Sequence, residues 1–151
     1  MTKQKNLIKF IIVLLMSIIG SFLLVRFCVI DFEKIREMGN DFQYNVISTS
    51  SIIGGFLFTG ISILISTIDK DRIKRLWENH YLDNLYRSAF VGMVSNVTTI
   101  VIAVANLCLT LNDKIEFFLL YFETAGLIIG LVFFSWCIKK LISIISKLKP
   151  E

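Results

Sequence analysis

The chain has 151 residues, of which 55% are hydrophobic and only 19% charged, and a formal net charge of +4. It has one histidine, His80, and its three cysteines, Cys28, Cys108 and Cys137, form no CxxC pair, so no zinc or redox motif can be assembled. No phosphate-cradling glycine loop, nucleophile elbow or pair of pocket carboxylates is present either, and the expectation is a non-enzymatic protein without cofactor or metal.

Four apolar stretches, 7–30, 46–68, 88–111 and 115–138, take up nearly two thirds of the chain. A bilayer core of about 30 Å is crossed by about 20 apolar helical residues, and each stretch is long enough. Lipid offers backbone amides no partner and four segments cannot close a barrel, so the spans must be helices. The segments between them are too short to bury cores of their own. The predicted fold is all-α: one transmembrane domain over 1–151, with four membrane helices in a bundle.

The first stretch follows Lys3 and Lys5 and contains Lys9, a pattern shared with cleaved signals, but no small-x-small site follows it. Val25, Arg26 and Phe27 before Cys28 are not the small residues of a lipoprotein site, so the stretch reads as a retained helix. The 31–45 segment extends this helix through Phe32, Ile35 and Met38 and then turns at Gly39 and Asn40.

In the second span Ser51, Gly55, Thr59, Ser62 and Ser66 recur at helical spacing and stack on one face. Small faces let membrane helices approach closely, and the expected use is packing within the bundle ahead of an oligomer contact. In the 69–87 segment, Ile73, Leu76, Trp77, Tyr81 and Leu85 recur with helical period while Lys70, Arg72, Lys74 and Arg75 crowd its start. An amphipathic helix on the inner leaflet is predicted, contacting lipid headgroups or docking a cytoplasmic protein partner. Nucleic acid is not an expected partner, because Asp69, Asp71, Glu78 and Asp83 interrupt any phosphate track.

The third span carries a polar stripe of Asn96, Thr99, Ala103, Asn106 and Thr110. Interhelical hydrogen bonds, contributing about 0.6 kcal/mol each, are its expected role. In the fourth span Glu123 lies about 12 Å below the expected boundary, where a carboxylate costs about 2.5 to 3.5 kcal/mol on insertion scales. It shares a helix face with Gly126 and Gly130, which predicts an inward direction and makes that face a second packing surface. By depth, Arg26, Asn106, Ser50 and Ser51 are its candidate partners, with Asn96 deeper, and the cluster reads as an ion or proton site, a pore constriction, or a Glu123–Arg26 pair that sets register. Leu141, Ile142, Ile144, Ile145 and Leu148 continue the helix past the membrane, with Lys139 and Lys140 free to snorkel or contact a partner.

Twelve of the sixteen Lys and Arg residues fall on the side that holds both termini and the 69–87 segment, and only Arg26, Lys34, Arg36 and Lys114 on the other. Both termini are therefore expected in the cytoplasm. Heavy use of Ile, Lys, Asn and Phe with few Ala fits an AT-rich bacterial genome, and hence a bacterial cytoplasmic membrane.

The second span, IIGGFLFTGISILIS over 52–66, with the basic and aromatic segment after it, resembles small four-helix membrane proteins of bacteria. Some of these act as membrane effectors or membrane subunits of anti-phage defence systems. The resemblance covers about half of the chain, rests on hydropathy and a glycine-containing helix, and carries over no functional residue. It implies an oligomeric membrane effector or pore-forming subunit. The alternative is an anchor or sensor for a cytoplasmic partner, and holins, bacteriocin-immunity proteins and small transporters share the size and topology.

Overall fold

The computed structural model describes residues 2–26, 32–66, 82–109 and 112–148. They form five helices: α1 Thr2–Arg26, the short α2 Phe32–Glu37, α3 Asn40–Ser66, α4 Asp83–Cys108 and α5 Asp113–Leu148. Three of them, α3, α4 from Leu85, and α5 as far as Ser143, are long and apolar enough to cross a membrane, and α1 holds a shorter apolar run, Ile11–Leu24. Their outward surfaces carry Met16, Phe22, Phe56, Phe58, Phe90 and Phe118 in the open, which water would penalise and acyl chains accept. The chain is a multi-pass membrane protein.

Local chemistry sets the helix ends. Gly39, at φ +58°, takes the left-handed conformation that closes α2, and its N–H donates to the Arg36 carbonyl at 3.0 Å. This tight reversal lets α3 begin at Asn40, six residues before the apolar stretch itself. At the head of α5 the Asn112 carbonyl accepts from the amides of Ile115 and Glu116, and Asp113 and Glu116 in the first turn suit the positive end of the helix dipole. Arg36 then clasps α2 to α5, bonding Asp113 at 2.8 Å and Glu116 at 3.3 Å. The hydrogen bond to Asp113, with the charges of Glu116 and Asp113 behind it, holds the guanidinium above its ordinary pKa.

The helix α4 is the centre of the bundle, packed against α3 on one side and α5 on the other, while α1 rests mainly on α5. Both central pairings are antiparallel. Gly54 lies by Asn96 and Leu57 by Gly92 across α3 and α4, and Gly92 meets Phe133, Asn96 meets Gly130 and Thr99 meets Gly126 across α4 and α5. Helix α5 has 36 residues, about 54 Å, and so outruns the bilayer core, as the apolar residues of the tail predict.

The side of α3 that packs inward carries Gln43, Val46, Ser50, Ile53 and Leu57. The small stripe of Ser51, Gly55, Thr59, Ser62 and Ser66 is exposed, which corrects the expectation that the span packs in its own bundle through that face. Branched and long side chains at Val46, Ile53 and Leu57 fill the groove against α4, and burying them sets the rotation of the helix. The first and larger part of the 69–87 segment, with Lys70, Arg72, Lys74, Arg75, Trp77 and Tyr81, lies outside the described residues. Its end leads into α4, with Leu82 just before the helix and Leu85 within it both buried.

Candidate functional site

Following the antiparallel register from the Arg36 end inward, the first layer of the core brings Gln43 of α3, Asn106 of α4 and Leu120 of α5 to the same level. The next holds Val46, Ala103 and Glu123, and small Ala103 leaves the room a glutamate needs. Ser50, Thr99 and Gly126 follow, and after them Ile53, Asn96 and Gly130. Deeper still come Leu57, Leu85, Ala89 and Phe133, with no more than 3% of any of them exposed. Half of the core is thus a polar column that begins at the Arg36 end, and the other half is apolar apart from the buried Ser88.

Glu123 is 0% exposed, and among the described residues neither carboxylate oxygen has a hydrogen-bond partner. Asn106 stands near enough for its amide to act on the carboxylate, short of the geometry of a full hydrogen bond. Ser50 Oγ, Gln43 Oε1 and Asn96 Oδ1 are likewise buried without partners among the described residues, and Asn106 Nδ2 is the one unpartnered nitrogen with them. Of these groups only the Glu123 carboxyl can carry charge, and when ionised both of its oxygens can only accept. That suits a proton or small cation and opposes an anion. A polar cavity of about 130 Å³ at the Arg36 end, lined in part by Arg36, Asn40, Gln43, Asn106 and Glu116, reaches Leu120, one turn from Glu123.

The sequence-predicted cluster comes together in part. Glu123, Asn106 and Ser50 share the polar core, and Asn96 sits two layers below Glu123. Ser51 points away from the bundle. The side chain of Arg26 and all of Thr110 lie outside the described residues, and with Arg26 goes the expected pair with Glu123.

Interhelical bonding was expected of Asn96, but its Nδ2 donates to the Gly92 carbonyl of its own helix at 2.7 Å, and its amide fills the notch over Gly130. Thr99 likewise bonds its own helix at the Ser95 carbonyl. Threonine and asparagine reach the preceding turn without leaving their helix, and that short closure wins. A bond from α4 to α5 is made instead by Ser95, whose Oγ donates to the Gly126 carbonyl at 2.8 Å. Ser95 and Gln43 are the site residues missed in the sequence. Gln43 lies between the turn expected at Gly39 and Asn40 and the start of the apolar stretch at Val46, and Ser95 stands beside the more conspicuous Asn96. The buried pair Ser17 and Ser21 on α1 gave a visible four-residue spacing that could have marked its inner face.

Among the described residues no group of three or more His, Cys, Asp or Glu side chains could hold a metal ion. Fold and site together describe a multi-pass, all-helical membrane protein with a polar column inside half of its bundle. No protein-family model matches the chain, and no curated protein or solved structure matches it either.

Proposed function

We propose that this chain is a non-enzymatic, oligomeric membrane effector of a bacterial cytoplasmic membrane, and that it alters permeability to protons or small cations through the site at Glu123. One observation carries the reading: a fully buried carboxyl group stands in mid-bundle with no partner among the described residues. Intramembrane acids are costly and cluster where ions or protons are handled. The carboxyl group itself supports a positive ligand, and the polar cavity at the Arg36 end comes within one helical turn of it at Leu120.

The lower half, with Leu57, Leu85, Ala89 and Phe133, offers no continuous polar lining below Asn96 among the described residues. Passage then requires the helices to shift or a path between protomers. For the second route the exposed stripe of α3 supplies a packing face, whereas Gly126 and Gly130 are already occupied by α4.

The test is flux from liposomes that contain the purified chain, followed with proton- and potassium-sensitive dyes. Glu123→Gln should lower flux at least tenfold while leaving the helical content and the elution volume unchanged. Equal flux from both proteins would remove Glu123 from the mechanism. No flux from either would favour the second reading, an anchor or sensor for a cytoplasmic protein, which the long inner extension of α5 to Leu148 supports.

A further inference from the structure

At the opposite end of the bundle from Arg36, a groove of about 560 Å³ runs between α1 and α5, lined by Val13, Ser135, Trp136, Lys139, Lys140 and Ser143. Trp136, Lys139, Lys140 and Ser143 follow one another at helical spacings of three, one and three, so they share one side of α5. The indole is held by stacking on Phe133, with ring centroids 6.4 Å apart and planes within 5°.

No acid answers these lysines from either wall. Helix α1 contains no Asp or Glu and contributes Lys3, Lys5 and Lys9 to its own sequence, and α5 has no acidic residue after Glu123. Lys139 is exposed and Lys140 half-buried, and neither forms an ion pair among the described residues. Among its described lining residues the groove therefore has two cations with no facing acid, and an apolar wall.

Depth determines what kind of anion belongs there. From Glu116 to Lys139 is about 35 Å along the helix, so when the Arg36 end lies in one headgroup layer of a bilayer with a core of about 30 Å, the lysines lie in the other. Ile138 and Ile142, on neighbouring positions of the same helix, are open to lipid. A ligand here meets cations at its head and hydrocarbon along its body. We infer that this groove is a binding site for the headgroup of an anionic phospholipid, held by Lys139 and Lys140 beside Trp136.

Trp136 makes the site measurable. The chain has two tryptophans, so Trp77→Phe in the full-length protein leaves Trp136 as the sole tryptophan, excited apart from the tyrosines at the red edge of their absorption. This protein is reconstituted into phosphatidylcholine vesicles with a minor share of phosphatidylglycerol, and the acyl chains of one or the other lipid are brominated. Brominated phosphatidylglycerol should quench Trp136 in preference to brominated phosphatidylcholine, by about fivefold in relative affinity for each lysine engaged. Lys139→Gln with Lys140→Gln should bring the ratio to unity, and Lys139→Arg with Lys140→Arg should keep it.

Equal quenching by the two lipids in the lysine protein would overturn the inference, and so would a preference that survives in the glutamine variant. Inorganic phosphate at millimolar concentration should leave the ratio unchanged. Its loss under phosphate at constant ionic strength would mean that the groove takes a soluble anion, which also overturns the assignment. Should the glutamine variant fail to fold, the lipid comparison in the lysine protein and the phosphate competition still decide.

Discussion

Exchanging the Glu123 carboxyl for an amide of the same shape separates what the residue costs from what it does. An ionised carboxylate without a counter-charge is expensive to bury, while an amide needs only hydrogen bonds. Glu123→Gln is therefore expected to unfold in detergent at the same temperature as the parent or higher, even as flux falls. Gly126 and Gly130 behave in the opposite way. A methyl group on Gly130 would stand 2.6 Å from Asn96 Nδ2, and one on Gly126 would run into Thr99 Oγ1. Either alanine should cost about 1 to 3 kcal/mol through overpacking, seen as a lower thermal midpoint, although alanine is the better helix former. Gly55→Ala has nothing within 4 Å and should be neutral or slightly stabilising. The inward aim of Glu123 was legible from its spacing to these two glycines. That Ser50 and not Ser51 faces the core was not, because adjacent serines lie about 100° apart around a helix and only the packing of Val46, Ile53 and Leu57 selects one of them.

Among the helices, α3 departs furthest from its sequence reading. Its stripe of small residues has a regular period, but period alone does not say which partner a face meets. In the protomer that partner is not α4, so the face is free for a second copy of the chain. Gly55→Leu is expected to leave protomer stability unchanged and to convert the oligomer to smaller species by mass measurement in mild detergent. An unchanged mass distribution would exclude this face as the oligomer contact. The fastening of α2 to α5 by Arg36 has a different character, since all of its members lie at the surface and salt screens them. Arg36→Ala should lower the thermal midpoint slightly at low salt, and the difference should vanish near 1 M salt, where the Debye length is about 3 Å. Helix existence and length were readable from hydropathy. The early start of α3 was not, because it depends on the left-handed turn at Gly39 that brings polar Asp41 and Gln43 into the helix.

The two ends of the whole molecule differ in charge and in core. The Arg36 end combines acids with the polar column, and the Lys139 end combines Lys139 and Lys140 with the apolar half of the core. The charge bias of the sequence predicts the Lys139 end in the cytoplasm, which labelling tests directly. Cys108 is exposed at the Arg36 end, whereas Cys137 lines an apolar pocket with Leu57, Ala89 and Phe134 and is a poor label. With Cys28 and Cys137 changed to serine, a membrane-impermeant maleimide should label Cys108 in intact cells and not from inside. In a chain that also lacks Cys108, Ser143→Cys should label only in inverted vesicles. The reverse pattern would turn the protein over and put the mouth of the polar column in the cytoplasm.

Membrane residence, the helical class and the inward pull on Glu123 were all determined by the sequence itself, because each follows from the cost of exposing polar backbone or charge to hydrocarbon, which depends on composition and period alone. Of the four stretches expected to span, three form helices long and apolar enough and the first holds a shorter apolar run. Only tertiary structure decided which face of α3 is inside, that Asn96 fills a notch over Gly130 instead of bridging helices, that Ser95 makes a bond from α4 to α5, and that the polar column stops halfway. These depend on helix rotation and register, which are set by how side chains from different helices interlock, and no single segment carries that information.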